Sequence, residues 1–399
     1  MAKNIAVGID IGTYQIKIVV AESIKEEGKT SYKIIGTGFA ESKGLHHGYI
    51  INSGDTSQSL KLAIAEAEKN SNIKIKRAFL SIGGIGVGSL VSHGSIMIAQ
   101  AGSEITEIDV KNVLSVAENE IPSNNSINKK IIHTIPISYK IDGRIVLGQP
   151  IGMKGGKFEV KALFITCLEH HLEDLIAVVE DLGVEVINIM ASPLAGSIVI
   201  LNKTQKIAGC VLANIGSETV SVVVFENNQP ISLEVFPIGG TDITNDIALG
   251  LKIPLEEAEN LKINTNKEID YPRKKLDEII LARLSDIFDL IESYLKKLGR
   301  SGLLPAGIIL TGGSSGVSTT EDLARAILKL PSKLGSLDFI TNSQNCQIKD
   351  SSWSVAYGLC VWGLSSGEEF SFGGPADSSI RGPKGLIKKL LIWFKQFLP

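Results

Sequence analysis

Two stretches of this chain share one pattern, and that repetition limits the folds open to it more than any other feature. Residues 5–20 read IAVGIDIGTYQIKIVV and residues 207–224 read IAGCVLANIGSETVSVVV. With Asp10 set against Asn214, Ile11 meets Ile215, Gly12 meets Gly216 and Thr13 meets Ser217, and the runs 16–20 and 220–224 coincide. Each copy is a β-branched run, a glycine-containing turn and a second β-branched run, which is the pattern of a hairpin. Matched turn residues in both copies predict a duplicated α/β domain, with one hairpin in each of two lobes. The 399 residues leave room for this at roughly 100–200 residues per domain.

Apolar residues at helical spacing predict helices over 57–70, 109–120, 171–182 and 276–298. The last is the longest and runs into Gly299, a natural C-terminal stop. Between 109–120 and the middle of the chain lie strand-like runs at 130–141, 144–148 and 158–166, with turns at Asp142-Gly143 and Gly155-Gly156. They read as a small α+β insertion. The stretch 365–383 is rich in Ser, Gly and Pro without apolar periodicity, and reads as a flexible linker.

Composition removes several classes. Hydrophobic residues make up 44% and charged residues 21%, the balance of a chain with a buried core. The 4 cysteines are scattered, which excludes a disulfide framework and a zinc ribbon. Asp10 and Gly12 interrupt the first apolar run, so it does not read as a signal peptide. No apolar run reaches the ~18 residues of a spanning helix. A net charge of −3 argues against nucleic acid as a partner. The charge is unevenly placed: Arg381, Lys384, Lys388, Lys389 and Lys395 all lie after position 380, with no acidic residue among them.

That tail carries a second pattern. Turned by about 100° per residue, Leu386, Ile387, Leu390, Leu391, Trp393, Phe394, Phe397 and Leu398 share one arc. Lys388, Lys389 and Lys395 take the opposite one, and only Ile392 is out of place. An aromatic-rich face with lysine flanks predicts an amphipathic helix, 384–399, lying in the interface of an anionic membrane.

Four motifs carry candidate chemistry. Asp10-Ile-Gly12-Thr13 follows a strand directly, so amide N–H groups and the Thr13 hydroxyl can converge on a phosphate. An aspartate there suits Mg²⁺, held through water. The echo at 214–219 would grip the same phosphates from the other side, although a tight structural hairpin would look the same in isolation. Gly312 and Gly313 end a buried strand at 307–311 and permit close approach of a flat ring. The run Pro237-Ile-Gly239-Gly240-Thr241-Asp242 precedes a segment in which Glu259 and Lys262 share a helix face. They could meet ribose hydroxyls or form a solvated ion pair. The pairs His46-His47 and His170-His171 lack companion ligands and do not read as a metal site. Gly83-Gly84-Ile-Gly86-Val-Gly88 lacks dinucleotide spacing and reads as the crossing into the insertion.

In this order and spacing the motifs resemble the actin–Hsp70–sugar kinase superfamily. The insertion, the stretch VFPIGGTDITNDIALGL, the AENLK element, GIILTGGSSGV and the basic amphipathic tail together resemble the FtsA family, the actin-like proteins of bacterial cell division. The resemblance implies a two-lobed actin-like α/β fold that closes on ATP with Mg²⁺. It implies a first-lobe core at 1–83 and 164–204, an FtsA-type insertion at 84–163, a second-lobe core at 205–238 and 303–364, and an outer subdomain at 239–302. It assigns Asp10, Gly12, Thr13, Tyr14 and Lys17 to the first phosphate hairpin and Gly216, Ser217, Glu218 and Thr219 to the second. Gly239, Gly240 and Thr241 then approach the nucleotide, Glu259 and Lys262 meet the ribose, and Gly312, Gly313 and Ser314 line the adenine.

One departure bears on chemistry. The family's second hairpin opens on an aspartate in a pattern like D-I-G-G-G-T, where this chain has Asn214-Ile-Gly216-Ser217-Glu218-Thr219. A neutral amide holds magnesium waters less strongly and cannot act as a base, so ATP binding with weak or absent hydrolysis is expected. The implied partners are the C-terminal peptide of the tubulin-like protein FtsZ, further copies of the chain in actin-like protofilaments, and the membrane. The expected place is the cytoplasmic face of the cell membrane at the division site. The peptide is expected on 239–302, beside Arg273, Lys274, Lys275, Arg283, Lys296 and Lys297. The alternatives are a PilM-like pilus-assembly homologue, or a sugar kinase or ATPase, which needs a base that the sequence does not display.

Overall fold

The computed structural model describes residues 4–26, 29–98, 104–263, 271–316, 319–341, 348 and 350–365. The amphipathic stretch 384–399 and nearly all of the expected linker lie outside the described residues.

Both predicted hairpins form, in the same register. Ile5–Ile11 pairs antiparallel with Gln15–Glu26, placing Asp10 opposite Lys17 and Ile11 opposite Ile16. Cys210–Ile215 pairs with Val220–Glu226, placing Asn214 opposite Ser221 and Ile215 opposite Val220. Consecutive residues are buried in both: Ile18, Val19 and Val20 in one, Val222, Val223 and Val224 in the other. Alternate side chains point to opposite faces, so both faces of each sheet are covered.

Each hairpin anchors a sheet of matching order. The first runs Glu185–Ala191, Arg77–Ile82, Ile5–Ile11, Gln15–Glu26, Lys29–Glu41, with Ile340–Thr341 added at the edge. The second runs Ser332–Leu334, Ile308–Thr311, Cys210–Ile215, Val220–Glu226, Gln229–Phe236. In both, two parallel strands precede an antiparallel meander. The duplication read from the two turns therefore extends to whole lobes.

The insertion is a four-stranded antiparallel sheet in the order Gly88–Met97, Lys157–Leu168, Lys129–Ile141, Arg144–Val146. Helix Glu107–Asn119 lies against it, started by a reciprocal capping box between Thr106 and Asp109. Val113, Ala117, Phe158 and Phe164 form its own small core.

Helix ends differ from expectation by a few residues, in one case because a capping side chain decides the start. The helix expected at 57–70 spans Ser53–Ser71, because Asn52 accepts the Asp55 N–H and starts it a turn earlier. The one expected at 171–182 spans Glu169–Glu180. The long helix spans Arg273–Lys297 and ends at Gly299, whose φ is +68°. Arg300 N–H reaches the Leu295 carbonyl at 2.8 Å and Gly299 N–H the Lys296 carbonyl at 3.0 Å, closing the end as a Schellman motif.

One expected boundary is corrected. The stretch 303–364 does not pack wholly with the second lobe. Helix Ser354–Ser365 is buried almost all round and belongs to the first-lobe core, beside Ser192–Ile200. A Cβ on Gly8 would lie 2.1 Å from the Ala356 carbonyl oxygen, so only glycine lets strand and helix touch. Cys360 Sγ donates to the Val19 carbonyl at 3.1 Å, and Trp362 meets Phe79 edge-on. A chain can return to its first lobe at its end, and apolar composition alone does not say which lobe it joins.

His133, in the insertion sheet, ties that sheet to the first lobe. Its Nε2 accepts the Ala191 N–H at 3.1 Å, and burial lowers its pKa to about 4. The unfolded ring titrates near its usual 6.5. Between those values the unfolded chain holds the extra proton, so stability is full above the upper value and falls as pH drops toward the lower. We expect this to cost about 3 kcal/mol across the window. Urea midpoints measured across it should show that part of the slope in wild type and not in His133→Gln. Parallel slopes would rule out this origin.

Among the described residues, no helix is long and apolar enough to cross a membrane.

Candidate functional site

Because the two hairpins sit at equivalent places in two facing lobes, their turns open onto the same space. A cavity of about 580 Å³ lies there. Asp10, Gly12, Thr13, Tyr14 and Lys17 line it from the first hairpin, and Asn214, Gly216, Ser217 and Thr219 from the second. Thr241, Glu259 and Lys262 line it from the helices Gly240–Leu251 and Leu255–Lys262 and the turn before them. Gly312, Gly313 and Ser314 follow the strand Ile308–Thr311 into it.

The two turns are built alike. A Cβ on Gly12 would come within 2.9 Å of the Gln15 carbonyl oxygen, and one on Gly216 within 2.9 Å of the Thr219 carbonyl oxygen. Asp10 ends its strand in the cavity wall, accepting from the Ser81 hydroxyl at 2.7 Å. Burial raises the Asp10 carboxyl above the usual carboxylate range, against the Ser81 bond and the Lys17 charge. Lys17 donates to the Ser352 hydroxyl at 2.8 Å and to the Ser352 carbonyl at 3.1 Å. Burial pushes Lys17 down, with Asp10 and Asp350 opposing. A carboxylate buried in the cavity wall could take a hydrated divalent cation, which would favour its ionised form.

Asn214 backs onto the other glycine pair. Gly312 has a φ of +95°, and a Cβ on it would lie 2.3 Å from Asn214 Oδ1. Glu259 and Lys262 form an ion pair at 2.7 Å that is not a solvated one, since the Lys262 side chain is 7% exposed. Lys262 also donates to the Gly240 carbonyl at 3.0 Å and the Thr244 hydroxyl at 2.9 Å, fastening the start of helix Gly240–Leu251.

Three residues expected at the nucleotide stand behind the wall. Gly239 backs directly onto the second turn, where a Cβ would meet the Ser217 carbonyl oxygen at 2.4 Å. Gly240 N–H donates to the Gly216 carbonyl at 2.9 Å. Glu218 turns away from the cavity to the first lobe, where its carboxylate accepts the His47 N–H. Arg283, expected beside the peptide site, has partners in its own subdomain. It is held by Asp246 at 2.7 and 3.1 Å and lies 3.4 Å from Asp286.

Other lining residues carry little signal in the sequence. Ser192 starts a helix, and Ser352 and Val355 lie at the start of another. Gly48, Gly83 and Gly84 also line the cavity. Gly83-Gly84 follows a buried strand, the same signal that marks Gly312-Gly313. His171 Nε2 donates to the Gly83 carbonyl at 3.0 Å, which holds this loop in place. The acidic side chains lining the cavity are Asp10, Glu256 and Glu259. Asp10 is engaged by Ser81, Glu259 is engaged by Lys262 and Thr244, and Glu256 is exposed. Two backbone turns facing one cavity form an arrangement that can cradle phosphate groups.

Comparisons with known proteins agree with this architecture. A family model described as Cell division protein FtsA matches residues 211–358, and one described as the SHS2 domain inserted in FTSA matches residues 84–166. The cell division protein FtsA of Pseudomonas aeruginosa is 30% identical, over 97% of this chain and 96% of that protein. Its counterpart from Bacillus subtilis is 29% identical, over 84% of this chain and 79% of that protein. Among solved structures, the PilM-PilN type IV pilus biogenesis complex includes a chain that superposes with a TM-score of 0.68 at 16% identity, covering 90% of this chain and 98% of that one. MreB5 of Spiroplasma citri bound to ADP superposes with a TM-score of 0.50 at 12% identity, covering 90% of this chain and 96% of that one. At such identities these superpositions speak to the fold, which is actin-like.

Proposed function

The chain belongs to the FtsA family of cell division proteins, and from that premise we propose that it is an ATP-binding scaffold that tethers FtsZ filaments to the cytoplasmic face of the cell membrane at the division site. The observation that carries this reading is the pair of matched turns opening on one cavity. Gly12, Thr13, Gly216, Ser217 and Thr219 would cradle the phosphates, and Asp10 would hold the Mg²⁺ water shell. Gly312, Gly313 and Ser314 would face the adenine, with Lys262 and Glu259 at the ribose. Bound Mg²⁺ would supply positive charge beside the phosphates.

The membrane contact is assigned to 384–399 on the sequence pattern, and the FtsZ C-terminal peptide to the second lobe's outer subdomain at 239–302. Self-association into actin-like protofilaments belongs to the same reading. Its test is co-sedimentation of an FtsZ tail peptide with anionic vesicles. The peptide should pellet when both the protein and ATP with Mg²⁺ are present, and stay in solution without the protein. A peptide indifferent to the protein would sink the tether.

Turnover is the second point of test. With Asn214 neutral and the cavity's two inner carboxylates engaged, ATP should be held and hydrolysed slowly. Asn214→Asp should raise phosphate release severalfold if the missing charge limits it. Fast release by wild type would refute the assignment.

A further inference from the structure

Glu218 sits at the tip of the second hairpin, yet its bonds are to the other lobe. The strands Leu45–His46 and Tyr49–Ile50 form a small hairpin in the first lobe, with His47 and Gly48 as its turn. His47 has a φ of +49°, a left-handed conformation that costs a non-glycine residue about 1–2 kcal/mol. In that conformation its N–H donates to the Glu218 carboxylate at 2.5 Å. Its ring Nδ1 donates to the Glu218 backbone carbonyl at 3.1 Å, and His46 Nδ1 lies 3.3 Å from the same carboxylate. The turn is braced from behind, since a Cβ on Gly48 would lie 2.4 Å from Gly84 Cα, and Ile85 N–H reaches the His47 carbonyl at 3.3 Å. Gly48 and Gly84 line the cavity.

At the matching place in the first hairpin stands Tyr14, which is 59% exposed. The cross-lobe contact is thus a property of the second turn and of its glutamate. The same turn is gripped from its own lobe by Gly240 and Thr241, whose N–H groups donate to Gly216 and Ser217. Anything that opens the cleft on this side must break the Glu218 contacts, and anything that breaks them leaves the turn held by its own lobe alone.

We propose that Glu218 is an inter-lobe latch, a positioning residue that closes the cleft against the His46–Gly48 turn and sets how long a bound nucleotide stays. The inference rests on the nucleotide reading above. Its test is stopped-flow release of a fluorescent (mant) ATP analogue from wild type, Glu218→Ala and Glu218→Gln. Amide exchange at His47 in nucleotide-free protein is the companion measurement. Loss of a charge-assisted hydrogen bond should speed release from Glu218→Ala about tenfold. Glu218→Gln keeps an acceptor for the His47 N–H without the charge, and should fall between. His47 should exchange faster in Glu218→Ala, because its N–H loses its acceptor, while the change in release rate is what a merely structural contact would not give. Unchanged release from Glu218→Ala, in a wild type that binds the analogue, overturns the latch alone. Unchanged exchange at His47 overturns it whatever the nucleotide does. A wild type that binds no analogue overturns the nucleotide reading, and the retention role with it.

Discussion

Removal of residues 384–399 should lower binding to anionic vesicles about a hundredfold or more and leave nucleotide affinity as it was. Four lysines near an anionic surface contribute roughly 1 kcal/mol each, and the eight large apolar groups on the opposite arc contribute the rest. Neither part alone holds a protein firmly, which is why both faces matter. Trp393→Glu should cause most of the same loss by removing the largest apolar group of the arc and putting a charge in its place. Salt should weaken the intact protein's binding through the lysine half only. The nucleotide cavity draws its walls from other parts of the chain, so it serves as an internal control. A truncated protein that still pellets with vesicles, or an intact one indifferent to salt, would defeat the anchor.

Lys262→Met should lower ATP affinity about a hundredfold, or nearly 3 kcal/mol. The ammonium is bonded at once to Glu259, Gly240 and Thr244. Its loss leaves a carboxylate without its cation and removes the tie between the helices Gly240–Leu251 and Leu255–Lys262. Breaking a fully buried pair costs about 3–5 kcal/mol, but Glu259 is 35% exposed, so a stability loss nearer 2 kcal/mol is expected. Glu259→Gln keeps an acceptor and should cost less on both counts. Isothermal titration with Mg·ATP reads the first effect and thermal unfolding the second. Binding within threefold of wild type would remove Lys262 from the site.

The hairpins were legible because everything that makes them is local. A β-branched run, a glycine and a second run specify strand, turn and strand within about fifteen residues. Gly312 and Gly313 were legible for the same reason. Ser192 and Ser352 were not, since one begins an ordinary helix, the other lies in the short turn before one, and only the folded lobes carry them to the cavity. The Glu218 side chain was unreadable in a stricter sense. Its direction is set by a turn 171 residues away, and no spacing near Glu218 could reveal it. The apolar helix Ser354–Ser365 shows the limit in the core. It is apolar along most of its length, so no polar face marks how it sits, and its choice of lobe depends on the absence of a side chain at Gly8.

That choice of lobe decides how the molecule bears load. The chain beyond Ser365 is attached to a helix keyed into the first sheet at Gly8 and tied to Val19 through Cys360. Tension arriving from that side enters through the first lobe and is taken up beside the strand that carries Asp10. If the stretch 384–399 is the anchor proposed above, load on it is felt first at the strand that carries Asp10.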